Sequence, residues 1–147
     1  MNLEIKDLKF EDIPQLFKLY TQLIGYDGDI DKMTSELKAI EGDNHYKLFC
    51  VYSDDELIAT ATLSKCLDLT GNALYYYSME NFVVDEKYRG QGVGTYLIKE
   101  LEKYIESENG SYVNFTSSNQ RTDAHRFYEK MGYPIDYIKG FKKVFKR

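Results

Sequence analysis

The stretch Phe82-Val83-Val84-Asp85-Glu86-Lys87-Tyr88-Arg89-Gly90-Gln91-Gly92-Val93-Gly94-Thr95 sets three glycines on alternate positions between an apolar run and a helical periodicity. Phe82, Val83 and Val84 read as the end of a strand. Val93, Leu97, Leu101 and Tyr104/Ile105 recur at helical spacing, so a helix starts near Gly92 and ends before Gly110. Without Cβ atoms, the glycines let backbone N–H groups converge. Those N–H groups have no partner inside the helix, and the dipole there is positive. Such a loop is a seat for a diphosphate, with Arg89 adding positive charge at its entrance. The Walker loop is excluded, because no Lys follows a glycine of the loop. The dinucleotide fingerprint GxGxxG is one residue longer than the GxGxG of Gly90, Gly92 and Gly94.

Around this loop the chain alternates between the two periodicities. Leu3, Ile5 and Leu8 suggest an opening strand. Glu11 to Ile24 has helical spacing, with Pro14 near its start, where a missing N–H costs little. Gly25 to Gly28 breaks it, and a second helix is expected over Asp29 to Ile40. Lys47 to Tyr52 and Leu57 to Ser64 flank the polar turn Ser53-Asp54-Asp55-Glu56 and read as a hairpin. A long strand is expected over Ala73 to Val84, another over Ser111 to Thr116, then a helix over Arg121 to Met131 stopped by Gly132. One or two strands are expected after Pro134. The order predicts a mixed α/β domain, residues 1–147, with a meander ahead of one right-handed strand–helix–strand crossover.

Composition narrows the class. With 43% apolar and 29% charged residues in 147, the chain can bury a core and is neither disordered nor collagen-like. Of 19 basic residues, five lie in Lys139–Arg147, which holds no acid; net charge is −5 overall and −10 over residues 1–138. A surface that acidic disfavours nucleic acid and attracts cations. Phe141, Val144 and Phe145 among the C-terminal lysines point to a final strand or docked segment. Cys50 and Cys66 lack CxxC spacing and read as small thiols in a reducing compartment. His45 and His125 lack ligand spacing, so no metal site is expected, and a covalent acetyl-Cys route through Cys66 has no base beside it in the sequence. Neither a membrane-length apolar run nor a signal peptide is visible, which points to a cytoplasmic protein without a membrane partner.

Arg89-Gly90-Gln91-Gly92-Val93-Gly94 matches R/Q-x-x-G-x-G/A and resembles the acetyl-CoA signature of the GNAT superfamily of N-acetyltransferases. Glu80-Asn81-Phe82-Val83-Val84 precedes it as in the family. Ala124-His125-Arg126-Phe127-Tyr128-Glu129-Lys130-Met131-Gly132-Tyr133 resembles the family's A-x-x-F-Y-E-x-x-G-F/Y helix. The resemblance implies the GNAT fold: a splayed, mostly antiparallel central sheet flanked by about four helices. It also implies acetyl-CoA as co-substrate. Backbone groups of Phe82, Val83 and Val84 would pair with the pantetheine arm. The main-chain N–H groups of Arg89, Gly90, Gln91, Gly92, Val93, Gly94 and Thr95 would receive the pyrophosphate, and Tyr128 would lie near the sulfur. The family often has Asn three residues before the helix alanine; here that position is Arg121, and Asn119, two residues earlier, is the candidate for the contact.

Acetylation of an amine needs a base, because an alkylammonium titrates near pH ~10. It also needs stabilisation of the carbonyl oxygen and of the leaving thiolate. Glu80 is the candidate base, as in similar sequences of the family, and Tyr128 the candidate proton donor, with Phe127 assigned to the core. Backbone N–H groups of Phe82–Val84 could polarise the thioester carbonyl. In this family the first two helices and their loop usually shape the acceptor pocket; here residues 1–60 carry six Lys and thirteen acids, net −7, with Tyr26, Asp27, Asp29 and Asp31 clustered. Tyr75, Tyr76 and Tyr77 alternate sides of their strand, one face toward the pocket and the other packed. The expected enzyme is an acetyl-CoA-dependent N-acetyltransferase acting on a small amine. A protein or peptide N-acetyltransferase, or a non-catalytic acyl-CoA-binding module, are the alternatives. The edge of the C-terminal strands is a candidate for pairing with a second subunit as a homodimer.

Overall fold

In the computed structural model, residues 1–146 are described; Arg147, the last of the five C-terminal basic residues, lies outside them. By contacts the chain divides into two units, Met1–Asn114 and the segment from Phe115 on.

The first unit carries a five-stranded sheet in the order β1-β2-β3-β4-β5. Its strands are β1 (Leu3–Ile5), β2 (Tyr46–Ser53), β3 (Glu56–Cys66), β4 (Tyr76–Val84) and β5 (Val113–Asn114). The first three pairings are antiparallel, and β4–β5 is parallel. Three helices belong to this unit: α1 (Ile13–Ile24), α2 (Ile30–Glu41) and α3 (Val93–Ser107). Local chemistry sets their limits. Pro14 occupies the first turn of α1, and Gly25 ends it at φ +87°, giving its N–H to the Thr21 carbonyl at 2.8 Å. The Asp29 carboxylate caps α2 by accepting from Lys32 N–H at 3.0 Å. Asp54 and Asp55 both take positive φ, as a two-residue type I′ hairpin turn requires.

The sheet is covered on both faces, which explains why Leu57 to Leu63 is buried without interruption. On one face Leu16 and Leu19 of α1 and Leu37 of α2 join Cys50, Tyr52, Leu57 and Val83 in a core. On the other, α3 buries Val93, Leu97, Ile98, Leu101 and Ile105, and Tyr104 meets Phe49 and Tyr77 edge-on at 5.5 and 6.2 Å between centroids. A buried leucine of this kind is worth roughly 1.5–3 kcal/mol.

The second unit holds α4 (Thr122–Lys130). Phe115, Phe127, Tyr128 and Tyr133 form an aromatic cluster, with the Phe115 and Tyr128 rings 4.6 Å apart.

Three expectations are corrected. The strand expected from Ala73 begins at Tyr76, because Ala73 takes φ +55° in a turn that returns its N–H to the Thr70 carbonyl. The strand expected over Ser111–Thr116 is only Val113–Asn114. Finally, no strand follows α4 among the described residues; Phe141 and Phe145 are 95% and 83% exposed. Phe141, Val144 and Phe145 do not keep a strict two-residue period, so the segment has no single apolar face for a sheet to seal. The strand edge on which subunit pairing is expected is therefore not formed by the described residues.

Candidate functional site

The glycine loop follows β4 directly and is fastened at several points. Asp85, 2% exposed, gives its N–H to Ile58 O at 2.8 Å, accepts from Lys87 N–H at 3.0 Å and from Gln15 Nε2 at 3.4 Å. Gln22 Oε1 accepts from Glu86 N–H at 2.9 Å, and Tyr88 OH donates to Glu56 at 2.7 Å. Asp85, Gln15, Gln22 and Glu56 thus hold the loop against α1 and the hairpin. They are not visible as site residues in the sequence, although an Asp directly after a strand is a turn-capping signal. Arg89 folds back, its Nε donating to Val84 O at 3.1 Å, while Gln91 Nε2 donates to Lys87 O at 3.1 Å. Arg89 therefore fixes the loop as well as charging it.

Gly90 and Gly92 take φ of +73° and +86°, and nothing lies within 4 Å of where a Cβ would stand on either. Gly92 is the N-cap of α3 and has no side chain to turn onto the helix amides. The first helical bond runs from Tyr96 N–H to Gly92 O at 3.0 Å. The amides of Val93, Gly94 and Thr95 lie ahead of it and have no helical carbonyl to receive them. The space a Cβ would take at Gly90 and Gly92 is open and the first amides of α3 have no helical acceptor, so the residues present fit a diphosphate.

β4 itself departs from the continuous strand expected over Glu80–Val84. Thr62 pairs with Glu80 and Thr60 with Val83, so β4 holds one residue more than β3 across the same span. The extra residue is accommodated at Asn81, which takes φ +54°. This β-bulge is the site feature that pattern reading missed; Asn, among the non-glycine residues most tolerant of positive φ, was its signal. The β4–β5 ladder reaches only Ser78–Asn114. Because Asp85 N–H points to β3, alternation turns the Val84 backbone groups away from β3. Beyond Ser78, β4 has a ladder on its β3 side alone among the described residues.

Glu80 is exposed and accepts from Ser78 Oγ at 2.9 Å. Of the tyrosine run, Tyr77 is buried against α3 and Tyr76 points to the opposite face, while Tyr75 precedes β4 and is exposed. In the second unit, burial pushes the Tyr128 phenol up to about 12, against a lowering pull from the Arg121 charge. Phe127 is half-buried in the same aromatic cluster as Tyr128 rather than fully enclosed. Arg121 stands at the N-cap position of α4 without a side-chain cap, and Asn119 is exposed. Cys50 is buried and Cys66 half-buried; His45 bonds Asp43 at 3.0 Å.

With this geometry in place, similarity to known proteins can be set beside it. The acetyltransferase (GNAT) family matches residues 10–133. The chain is 28% identical over 128 residues to the uncharacterized N-acetyltransferase YhdJ of Bacillus subtilis (strain 168), covering 86% of this chain and 84% of that protein. Its fold is similar to glucosamine-6-phosphate N-acetyltransferase from Arabidopsis thaliana, with TM-score 0.83 and 19% identity over 99% of this chain and 100% of that one. It is also similar to AAC(6′)-Iy in complex with the bisubstrate analogue CoA-S-monomethyl-acetylneamine, with TM-score 0.82 and 17% identity over 99% and 100% of the two chains. Among the described residues no helix is long and apolar enough to cross a membrane.

Proposed function

Since the chain belongs to the GNAT acetyltransferase family, we propose that it transfers an acetyl group from acetyl-CoA to a primary amine of a small, cationic acceptor by direct attack. The observation that carries this reading is the bend at Gly90–Thr95, where the amides of Val93 to Thr95 lie ahead of the Tyr96–Gly92 bond and the Cβ positions of Gly90 and Gly92 are open. AAC(6′)-Iy, of similar fold, is held with a CoA-based bisubstrate analogue. Acetyl-CoA, when bound, supplies the acetyl group as a thioester.

In this reading the amides of Gly90 to Thr95 hold the pyrophosphate, and the Phe82–Val84 segment aligns the pantetheine arm through the Val84 backbone groups, which are turned from β3, while Val83, paired with Thr60, faces β3. Asn119 is proposed to contact the cofactor as well. Glu80 takes the proton lost by the attacking ammonium; the N–C bond forms as the C–S bond breaks. Tyr128 donates to the departing thiolate. A phenol held at about 12 stays protonated throughout the neutral range. Full transfer to a thiolate whose acid has pKa ~8.5 would run uphill, so its contribution is a hydrogen bond, with the final proton drawn from solvent. The acidity of residues 1–60 and the exposed Glu80 favour a cationic acceptor.

The test is thiol release from acetyl-CoA over a panel of small amines, for the wild type and Tyr128→Phe. Turnover by the wild type, with kcat lowered about 10- to 100-fold in the variant and CoA affinity unchanged, supports the reading. CoA binding by both proteins with turnover by neither replaces it with a non-catalytic acyl-CoA-binding module.

A further inference from the structure

β4 carries a second recognition element, set back from Glu80 along the same face of the sheet. Register places Glu80 opposite Thr62, Ser78 opposite Ser64, and Tyr76 opposite Cys66, and paired residues share a face. This is the face that α1 covers around Val83; toward Tyr76 it opens, with Glu80 exposed and Ser78 and Tyr76 half-buried. At the open end the Tyr76 ring stacks on Tyr112, 4.8 Å between centroids and 7° between planes. Tyr112 is 49% exposed, so the stack is open to solvent on the Tyr112 side.

The lysines of the neighbouring strands β2 and β3 are turned from this row. Lys47 and Lys65 pair with Leu63 and Tyr77 and therefore stand on the opposite face. Lys65 lies 3.8 Å from the centroid of the Tyr75 ring, which engages it away from this row. The Tyr76 phenol is pushed up by the Cys66 sulfur beside it, then by Tyr112 and Asp68. The row thus offers a carboxylate at one end and stacked aromatic rings with an acid near them at the other. Four residues of strand separate the ends, about 13 Å. Rings attract cations by their faces, and carboxylates by charge.

Resting on the acetyltransferase reading, we infer that the Tyr76–Tyr112 stack binds a second cationic centre of the acceptor while Glu80 receives the reacting amine. The acceptor is then a long, flexible molecule with two or more amino groups. A compact monoamine would fill only the Glu80 end.

The test compares n-butylamine, 1,4-diaminobutane and 1,8-diaminooctane, by steady-state kinetics with acetyl-CoA and by calorimetry without it. The wild type, Tyr112→Ala and Tyr112→Phe are compared. Tyr112→Ala is expected to raise KM for 1,8-diaminooctane about 2- to 30-fold with kcat within twofold, and to leave n-butylamine unchanged. Tyr112→Phe, which keeps the ring, restores the wild-type KM. Acetylation of all three amines with no dependence on length or on Tyr112 overturns the subsite and leaves the transferase reading intact. Ring-dependent binding of 1,8-diaminooctane without turnover of any amine does the reverse. No binding and no turnover of either diamine overturns both.

Discussion

Gly92 and Gly25 form a matched pair that separates a backbone cost from a ligand cost. Gly92 opens α3 at φ +86°, Gly25 closes α1 at φ +87°, and neither has an atom within 4 Å of a would-be Cβ. Alanine at either position meets no clash and suffers only from the left-handed backbone, about 1–2 kcal/mol. Stiffening of the unfolded chain returns ~0.4–1 kcal/mol. The net loss is about 1 kcal/mol for each, a Tm drop of roughly 2–4 °C at this chain length. At Gly92, however, the new methyl would enter the open space beside the bend in which the diphosphate is proposed to sit. Displacing one amide–phosphate hydrogen bond costs about 1.5–3 kcal/mol, or roughly 10- to 150-fold in Kd. Gly92→Ala and Gly25→Ala should therefore match in thermal denaturation and differ in CoA titration calorimetry, with Gly25→Ala binding as the wild type does. Equal CoA affinities in the two variants would refute the placement of the diphosphate on this bend.

Other expectations follow from burial and strain. Burial, with smaller additions from Asp7 and Asp12, pushes the Cys50 thiol up to about 12 from 9.0. The folded chain keeps that proton where the unfolded chain has lost it, so stability is full below pH 9 and falls between pH 9 and 12. The loss is at most about 1.4 kcal/mol per pH unit from this group, and denaturant titrations should find that component missing in Cys50→Ala. In the native protein, a thiol reagent at pH 8 should modify half-buried Cys66 and reach Cys50 only after unfolding. Asn81→Val forces a β-branched residue to φ +54°, costing about 1–2 kcal/mol by denaturant titration, whereas Asn81→Gly stays within 0.5. Leu16→Ala, at a position with no exposure, should lose about 2–5 kcal/mol. Phe141→Ala, at 95% exposure, should stay within about 0.5 kcal/mol; a larger loss would mean that the C-terminal segment is covered in solution.

The helices were legible because their limits are local. Pro14, Gly25, Asp29 and Gly92 each act within one turn of the helix end they set. The glycine bend was legible for the same reason, since alternate glycines ahead of a helical period prescribe converging amides regardless of the rest of the chain. Strands depend on partners that the sequence does not name. The β5 pairing stops after two residues, and the described C-terminal residues form no strand, although both stretches carry strand-forming residues. The bulge at Asn81 is set by the count of residues on β3 against β4, which no single stretch records. The anchoring of the loop by Asp85, Gln15 and Gln22 links residues as far as 70 apart and lay beyond motif reading for that reason.

The central claim is that backbone amides between Gly90 and Thr95 hold the diphosphate of coenzyme A. Amide-resolved NMR of the isotope-labelled protein, titrated with CoA, tests it residue by residue. Saturable shifts that are largest at Gly90, Gln91, Gly92, Val93, Gly94 and Thr95 are predicted. Shifts centred elsewhere, or none at millimolar CoA, would contradict it.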